Sequence, residues 1–249
     1  MVSSSLLPPS LLPQKLLPPS LGPIKSPSRL EALLEAISIV HGFFVTGTDT
    51  DVGKTLVSAW LLTHLDASYW KPVQAGTKPE TDAATVKRLA EVPAERILPE
   101  AYVLPEPLAP HEAARRAGIT IDANKLVAPD CEKLLVVEGA GGLMVPLTED
   151  SYMIDLAAEL DLPIILVARS TLGTINHTLL SIEAIRRRGL PLAGVVITGP
   201  ETPHNRAAIE RYGQIDVIAE IPWLDTPSRS ALRDIQPELD LLKLATVNL

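Results

Sequence analysis

The segment GTDTDVGKT at 47–55 has the clearest chemical signature in the sequence. It lies between an apolar stretch, FFVT, and an amphipathic one, TLVSAWLL, which is the order of strand, turn and helix that a phosphate-binding loop requires. The N–H groups of such a loop and the positive end of the following helix attract phosphate oxygens. We expect Lys54 to reach the β- and γ-phosphates of a nucleoside triphosphate and the Thr55 hydroxyl to bind Mg²⁺. The match is imperfect, because Thr48 stands at the first glycine position and Gly47 one residue earlier.

Two other charged residues stand where predicted strands end. Lys71 comes immediately before Pro72, whose ring restricts the turn that follows. Glu138 follows the apolar run LLVV and precedes the sequence GAGG, so we expect its carboxylate at the carboxyl edge of a sheet. The glycines allow the backbone to approach an anion closely. Taken alone, Lys71 fits an ordinary surface lysine equally well.

Apolar strands alternate with amphipathic helices from Gly42 onward. Strands are predicted at 43–46, 68–72, 134–137, 164–168, 193–197 and 217–221, and helices at 55–65, 82–90, 153–160, 174–188 and 203–212. Several strands are continuous apolar runs, which is typical of strands covered on both faces. This alternation predicts right-handed crossovers and a three-layer α/β domain of the P-loop NTPase kind, with a mostly parallel central sheet.

The composition limits the classes of partner. The 249 residues are 46% hydrophobic and 21% charged, with a formal net charge of -8 and no dense basic run, so we expect no nucleic acid and no membrane as partner. No apolar stretch approaches the roughly 20 residues that span a bilayer. Cys131 is the only cysteine, which excludes an internal disulfide and fits a cytoplasmic location.

The amino-terminal segment differs from the rest of the chain. It repeats Leu-Leu-Pro, is rich in serine and proline, and contains no acidic residue up to Arg29. So many prolines exclude a continuous helix, and we expect a disordered extension at 1–36 and a catalytic domain at 40–249. A targeting peptide, a tethering tail, or a true translation start near Val40 are the alternatives. A short helix is predicted at 30–40.

Four further segments, in order, resemble dethiobiotin synthetases: YWKPVQAG at 69–76, VVEGAGGLMVPL at 136–147, LGTINHTLL at 172–180 and EIPWL at 220–224. With the phosphate loop they span nearly all of the chain after Gly42. The resemblance implies an ATP-dependent cyclo-ligase of biotin biosynthesis. Enzymes of this family join CO₂ to 7,8-diaminononanoate (7,8-diaminopelargonate) as a carbamate, phosphorylate the carbamate, and close a ureido ring when the second amine displaces phosphate.

The resemblance also assigns roles to residues. Lys54 and Lys71 become the catalytic cations that bring the anionic carbamate and phosphoryl group together. Magnesium would be held by Thr55, Asp82 and Glu138, although Asp82 also fits the cap or first turn of a helix. ATP would contact Asp51, Val52, Gly53, Lys54, Thr55, Leu56, Glu138, Gly139, Ala140, Gly141, Thr198, Pro222, Trp223 and Leu224. The substrate would contact Thr50, Ala75, Gly173, Thr174, Ile175 and Asn176, the last four from the neighbouring subunit of a homodimer.

Two positions depart from the family pattern. Ala75 stands where the family often has a serine that binds the carbamate, so Gln74, Thr77 or backbone N–H groups would have to replace that hydroxyl. Thr198 and Gly199 stand where the family often has Asn-Asp, whose asparagine reads adenine. The sequence therefore leaves open whether other nucleoside triphosphates replace ATP.

Other nucleotide-dependent functions remain as alternatives. A signalling GTPase would carry an Asn-Lys-x-Asp motif, and the nearest match, NKLV at 124–127, lacks the aspartate. A partitioning ATPase, a glutamine-using synthetase or a nucleotide-dependent switch protein would share the phosphate loop. A switch protein would not need Lys71 or the EGAGG segment, and a glutamine-using synthetase would carry a catalytic cysteine in a motif that Cys131 lacks.

Overall fold

A computed structural model of the chain describes residues 41–246. The predicted extension at 1–36 and the predicted helix at 30–40 lie outside the described residues. No helix within 41–246 has the length and apolar character needed to cross a membrane.

A parallel sheet of seven strands forms the centre of the described chain. The strands are β1 (Gly42–Gly47), β2 (Ala67–Trp70), β4 (Ile97–Leu98), β6 (Leu134–Gly142), β7 (Ile164–Arg169), β8 (Leu192–Thr198) and β9 (Val217–Ile221), in the spatial order β4-β2-β6-β1-β7-β8-β9. A separate parallel pair is formed by β3 (Val73–Ala75) and β5 (Tyr102–Leu104). Because β1 lies between β6 and β7, the loop that follows it emerges at the middle of the sheet's carboxyl edge.

Helices cover both faces of this sheet. They are α1 (Lys54–His64), α2 (Asp82–Ala90), α3 (Pro110–Ala117), α4 (Met153–Leu160), α5 (Thr174–Arg187), α6 (Pro203–Gly213), α7 (Arg229–Asp234) and α8 (Leu241–Thr246). Alternate strand residues face opposite layers: Phe43 and Val45 pack with α1 and α2, whereas Phe44 packs with α4 and α5. The predicted three-layer α/β fold is therefore confirmed.

Most predicted elements form within one or two residues of their expected bounds, and β9, α2 and α4 match their predictions. The predicted strand at 68–72 is too long, because β2 ends at Trp70 and the chain turns at Lys71 and Pro72 before β3. The predicted strand at 134–137 is too short, because β6 continues through its glycines to pair Gly142 with Gly47. No prediction covered six further elements of the structure: β3, β4, β5, α3, α7 and α8.

Candidate active site

The phosphate loop joins β1 to α1 at the carboxyl edge of the sheet. Gly53 precedes the helix with a φ of 93°, a left-handed conformation that favours glycine, and a Cβ there would lie 3.0 Å from Cγ2 of Thr198. The buried Lys54 donates from Nζ to the carbonyl oxygen of Asp49 at 3.0 Å. Burial, and then the positive charge of Lys71, lower the pKa of Lys54. An anion beside this lysine would offset both effects.

Four side chains form a group that we call the buried ion cluster: Thr55, Lys71, Asp82 and Glu138. Lys71 and Glu138 are buried, and Thr55 and Asp82 are partly exposed. The ammonium of Lys71 lies 2.7 Å from Oδ2 of Asp82 and 3.0 Å from Oε1 of Glu138, and it also donates to the carbonyl oxygen of Gly139 at 3.1 Å. The Thr55 hydroxyl lies 3.1 Å from Oδ1 of Asp82 and 3.0 Å from Oε1 of Glu138. The structure therefore brings together one predicted catalytic lysine and all three predicted magnesium ligands.

The charges of this cluster support one another. Burial by itself would lower the pKa of Lys71, but the negative charges of Glu138 and Asp82 outweigh burial and raise that pKa. Burial acts to raise the pKa of Asp82, but the positive charge and hydrogen bond of Lys71 outweigh it and lower the pKa. Lys71 and Asp82 are both charged at neutral pH, so Lys71 is a buried cation and not a surface lysine.

Glu138 lies within β6 and not beyond its end, which corrects the prediction. It stands opposite Val45 in the parallel register and is 1% exposed. The strand continues past it through glycines at which a side chain would be crowded: a Cβ on Gly139 would lie 3.2 Å from the Phe44 ring, and a Cβ on Gly142 would lie 3.2 Å from the carbonyl oxygen of Gly47. The carboxylate is therefore held by a strand on a rigid backbone.

Two hydroxyl groups that the sequence analysis missed also donate to Glu138. Ser58 and Tyr69 are both fully buried, and they reach Oε2 of Glu138 at 3.0 Å and 2.9 Å. Burial, and then the charge of Glu138, raise the pKa of Tyr69 well above its usual range, so the phenol remains a donor at neutral pH. Their positions in the sequence indicate this role only weakly. Ser58 lies one helical turn after Thr55, and Tyr69 lies two residues before Lys71.

Asp82 is the first residue of α2 and also faces the cluster. Thr81 is the cap of this helix, accepting a hydrogen bond from the N–H of Ala84. The N–H of Asp82 donates to Oε1 of Gln74 at 3.0 Å, while Nε2 of Gln74 donates to the carbonyl oxygen of Gly76 at 2.8 Å. Gln74 therefore holds Asp82 in place. The replacement of the missing hydroxyl at Ala75 by Gln74, Thr77 or backbone N–H groups stays a prediction.

The predicted base-binding residues lie at the carboxyl ends of the two neighbouring strands β8 and β9. Thr198 ends β8, and its hydroxyl donates to the carbonyl oxygen of Val52 at 2.6 Å, so it supports the phosphate loop. Pro222, Trp223 and Leu224 follow β9, where Trp223 is 79% exposed and Leu224 packs on the core. A contact between these residues and a nucleotide base stays a prediction.

A cavity of about 280 Å³ opens beside the phosphate loop. It is lined by Thr48, Asp49 and Thr50, by 142–145, and by Leu180, Ser181 and Ala184 of α5. Thr50 lines this cavity, and its contact with the substrate stays a prediction. The other predicted substrate residues, Gly173, Thr174, Ile175 and Asn176, form the start of α5 and do not line this cavity within one chain. Their cross-subunit role stays a prediction.

An ion pair beside the phosphate loop was also not predicted from the sequence. Arg169, at the end of β7, lies 2.5 Å from Oδ2 of Asp49, and both side chains are partly exposed. Oδ1 of Asp49 accepts from the N–H of Thr50 at 2.8 Å, and its carbonyl oxygen accepts from Lys54. Arg169 thus fixes the residue that positions Lys54. No sequence spacing links 49 to 169, because the two meet only through the pairing of β1 with β7.

The chain is similar in sequence to known proteins over most of its length. A family model described as an AAA domain matches residues 41–230. The ATP-dependent dethiobiotin synthetase of Paramagnetospirillum magneticum is 55% identical over 80% of this chain and 96% of its own length. The enzyme of the same name from Afipia carboxidovorans is 53% identical over 76% of this chain and 90% of its own length.

Two solved structures are more distant in sequence. A ParA family ATPase from Chlorobium tepidum matches 79% of this chain and 98% of its own, with a TM-score of 0.48 and 10% identity. The septum site-determining protein MinD from Pyrococcus horikoshii matches 82% of this chain and 88% of its own, with a TM-score of 0.46 and 14% identity. The identity to the two synthetases, over most of both chains, shows that this chain belongs to the family of ATP-dependent dethiobiotin synthetases.

Proposed function

We propose that this chain is an ATP-dependent dethiobiotin synthetase that uses Mg²⁺ to form dethiobiotin, ADP and phosphate from 7,8-diaminononanoate, CO₂ and ATP. The buried ion cluster supports this function most directly. A switch protein needs a phosphate loop, but it has no use for a second lysine buried between two carboxylates, 17 residues beyond the first.

The reaction requires two anions to meet. One amine of diaminononanoate attacks CO₂ and loses a proton to give a carbamate. The carbamate oxygen attacks the γ-phosphorus of ATP as the bond to the ADP oxygen breaks. The second amine then attacks the carbamoyl carbon, the bond to phosphate breaks, and the amine proton is lost as the ring closes. Lys54 and Lys71 supply positive charge from α1 and from the end of β2, which reduces the repulsion between carbamate and phosphate.

Three oxygen donors of the cluster suit magnesium. Mg²⁺ prefers oxygen ligands and usually keeps several waters. Thr55, Asp82 and Glu138 present one hydroxyl and two carboxylates, and each carboxylate lies within 3.1 Å of the Thr55 hydroxyl. Asp82 is 32% exposed on its side chain, which leaves an open side for water and phosphate. When bound, the ion would neutralise charge on the β- and γ-phosphates.

The cavity beside Thr50 suits the aliphatic part of the substrate. Leu143, Met144, Val145 and Leu180 give it apolar walls next to the phosphate loop. Met144 and Leu180 are each more than half exposed in one chain, which is consistent with a second subunit covering them in the proposed homodimer. If the chain elutes as a monomer in gel filtration at micromolar concentration and is still fully active, this arrangement is wrong.

An assay with diaminononanoate, bicarbonate, Mg²⁺ and, separately, ATP, CTP or GTP tests the function. We expect mass spectrometry to detect dethiobiotin together with stoichiometric phosphate, and no product when EDTA is present. Phosphate without dethiobiotin would contradict the substrate assignment, and the absence of both from folded protein would contradict the function.

The same assay tests base recognition at Thr198. We predict that Thr198→Asn increases the preference for ATP over CTP and GTP, because an amide offers both a donor and an acceptor to the adenine edge. A matched change at Thr202, which ends the same loop, should leave the ranking unaltered. If the relative efficiencies with ATP, CTP and GTP are the same in the Thr198 variant and the unmodified chain, this assignment is wrong.

A further inference from the structure

We propose that Ser58 and Tyr69 are positioning residues for magnesium: they hold Oε2 of Glu138 so that Oε1 faces Thr55. This inference rests on the magnesium site of the proposed function. The two oxygens of the carboxylate have different partners, since Oε2 accepts only from Ser58 and Tyr69 among the described side chains. Oε1 accepts from Thr55 and Lys71 at 3.0 Å each.

The fold places the two hydroxyls on the same side of the carboxylate. Ser58 lies three residues after Thr55 on α1, so both side chains project from one face of the helix. Tyr69 pairs with Val136, and Glu138 is two residues further along β6 on the same face. That offset is roughly 7 Å along the strand. Tyrosine reaches across it, whereas serine or valine would be too short.

The terminal torsion of a glutamate side chain is broad, so packing alone does not fix which oxygen faces a given direction. Two hydrogen-bond donors on Oε2 fix the orientation of the Glu138 carboxylate. Residues that orient a metal-binding side chain in this way commonly change metal affinity 10- to 100-fold when they are altered.

The core does not otherwise need these hydroxyl groups. Tyr69 is 0% exposed and packs among apolar residues of the sheet and α1, where phenylalanine would occupy nearly the same volume. A phenol buried without an acceptor is unfavourable, and Glu138 is the only acceptor for Tyr69 among the described residues. The hydroxyl therefore serves the carboxylate.

Titration of the full chain with Mn²⁺ in the presence of saturating ADP, followed by electron paramagnetic resonance, tests this inference. We expect Tyr69→Phe and Ser58→Ala each to weaken Mn²⁺ binding by about 10-fold. The affinity for ADP measured in EDTA should stay within about twofold, because neither hydroxyl faces the phosphate loop. Tyr102→Phe is the matched control: its hydroxyl accepts from the N–H of Asp122 at 2.9 Å, away from the site, and its Mn²⁺ affinity should equal that of the unmodified chain.

Unchanged Mn²⁺ affinity in both variants, or an equal loss in Tyr102→Phe, would overturn the assignment. If Tyr69→Phe does not fold, Ser58→Ala decides alone. The titration contains no diaminononanoate, so a failure to make dethiobiotin leaves its result intact. If the unmodified chain with ADP binds no Mn²⁺, the metal site and this inference fail together.

Discussion

Two clusters of charge in this molecule use similar groups and differ in almost everything else. The buried ion cluster places Lys71 between Asp82 and Glu138. The surface ion cluster on α3 places Glu112 against Arg115 and Arg116, with hydrogen bonds of 2.7 to 2.8 Å. Its members are three and four residues apart on one helix, whereas those of the buried cluster come from α1, α2, β6 and the end of β2.

The difference indicates that the buried charges serve chemistry, whereas the surface charges contribute little to either chemistry or stability. An exposed pair on one helix contributes little because water competes for both partners. Burying Lys71 and Glu138 costs desolvation energy that their attraction recovers only when every lone pair and proton has a partner. The four donors around Glu138 meet that condition. A cluster that is this expensive to bury is better explained by function than by stability.

Replacing the buried cation should have the largest effect. We predict that Lys71→Met lowers the free energy of unfolding by about 3 kcal/mol, since it leaves the buried Glu138 carboxylate without its cation. This loss of stability is at the low end of the range for removing one partner of a buried ion pair, because Asp82 is partly exposed. Dethiobiotin formation should fall at least about 100-fold, with ATP affinity nearly unchanged. Urea unfolding, product assays and nucleotide titration measure these effects.

Lys133→Met is the matched control, because Lys133 also pairs with a carboxylate, that of Asp66, but at the surface. Its stability should change by less than about 1 kcal/mol and its activity should not change. A loss of ATP affinity in Lys71→Met as large as the loss of product would contradict the catalytic assignment and make Lys71 a nucleotide-binding residue.

Removing the ion pair between Arg169 and Asp49 should have an effect of intermediate size. We predict that Arg169→Ala changes stability by less than about 1 kcal/mol, since both partners are partly exposed. It should raise the KM for ATP about two- to fivefold, because Asp49 loses the group that holds it beneath Lys54. Steady-state kinetics and thermal unfolding test this, with Arg187→Ala as a control from a surface pair on α5. An equal rise in KM for the control would refute a specific role for Arg169.

The sequence predicted the parts of this site that local motifs carry. The loop at 47–55, Lys71 before Pro72 and Glu138 before its glycines are each recognisable within ten residues. Tyr69 was missed because Glu138 becomes its neighbour only when β2 pairs with β6. Ser58 was missed because Glu138 becomes its neighbour only when α1 packs against β6. The strands β3, β4 and β5 were missed because two or three residues are too few to show a period of two.

The smallest expected effect belongs to the surface ion cluster and appears only in acid. Hydrogen bonds from Arg115 and Arg116 lower the pKa of Glu112 from 4.5 to about 2. A lowered folded-state pKa means that the contribution is complete above the unfolded value of 4.5 and is lost as the pH falls toward 2. We therefore predict that Glu112→Gln barely changes Tm at pH 7 but flattens the decrease in Tm between pH 4.5 and 2. Glu183→Gln, from a looser surface pair at 3.9 Å, serves as control and should retain the steeper decrease. If Glu112→Gln instead lowered Tm at pH 7 as much as Lys71→Met does, the contrast between the two clusters would be wrong.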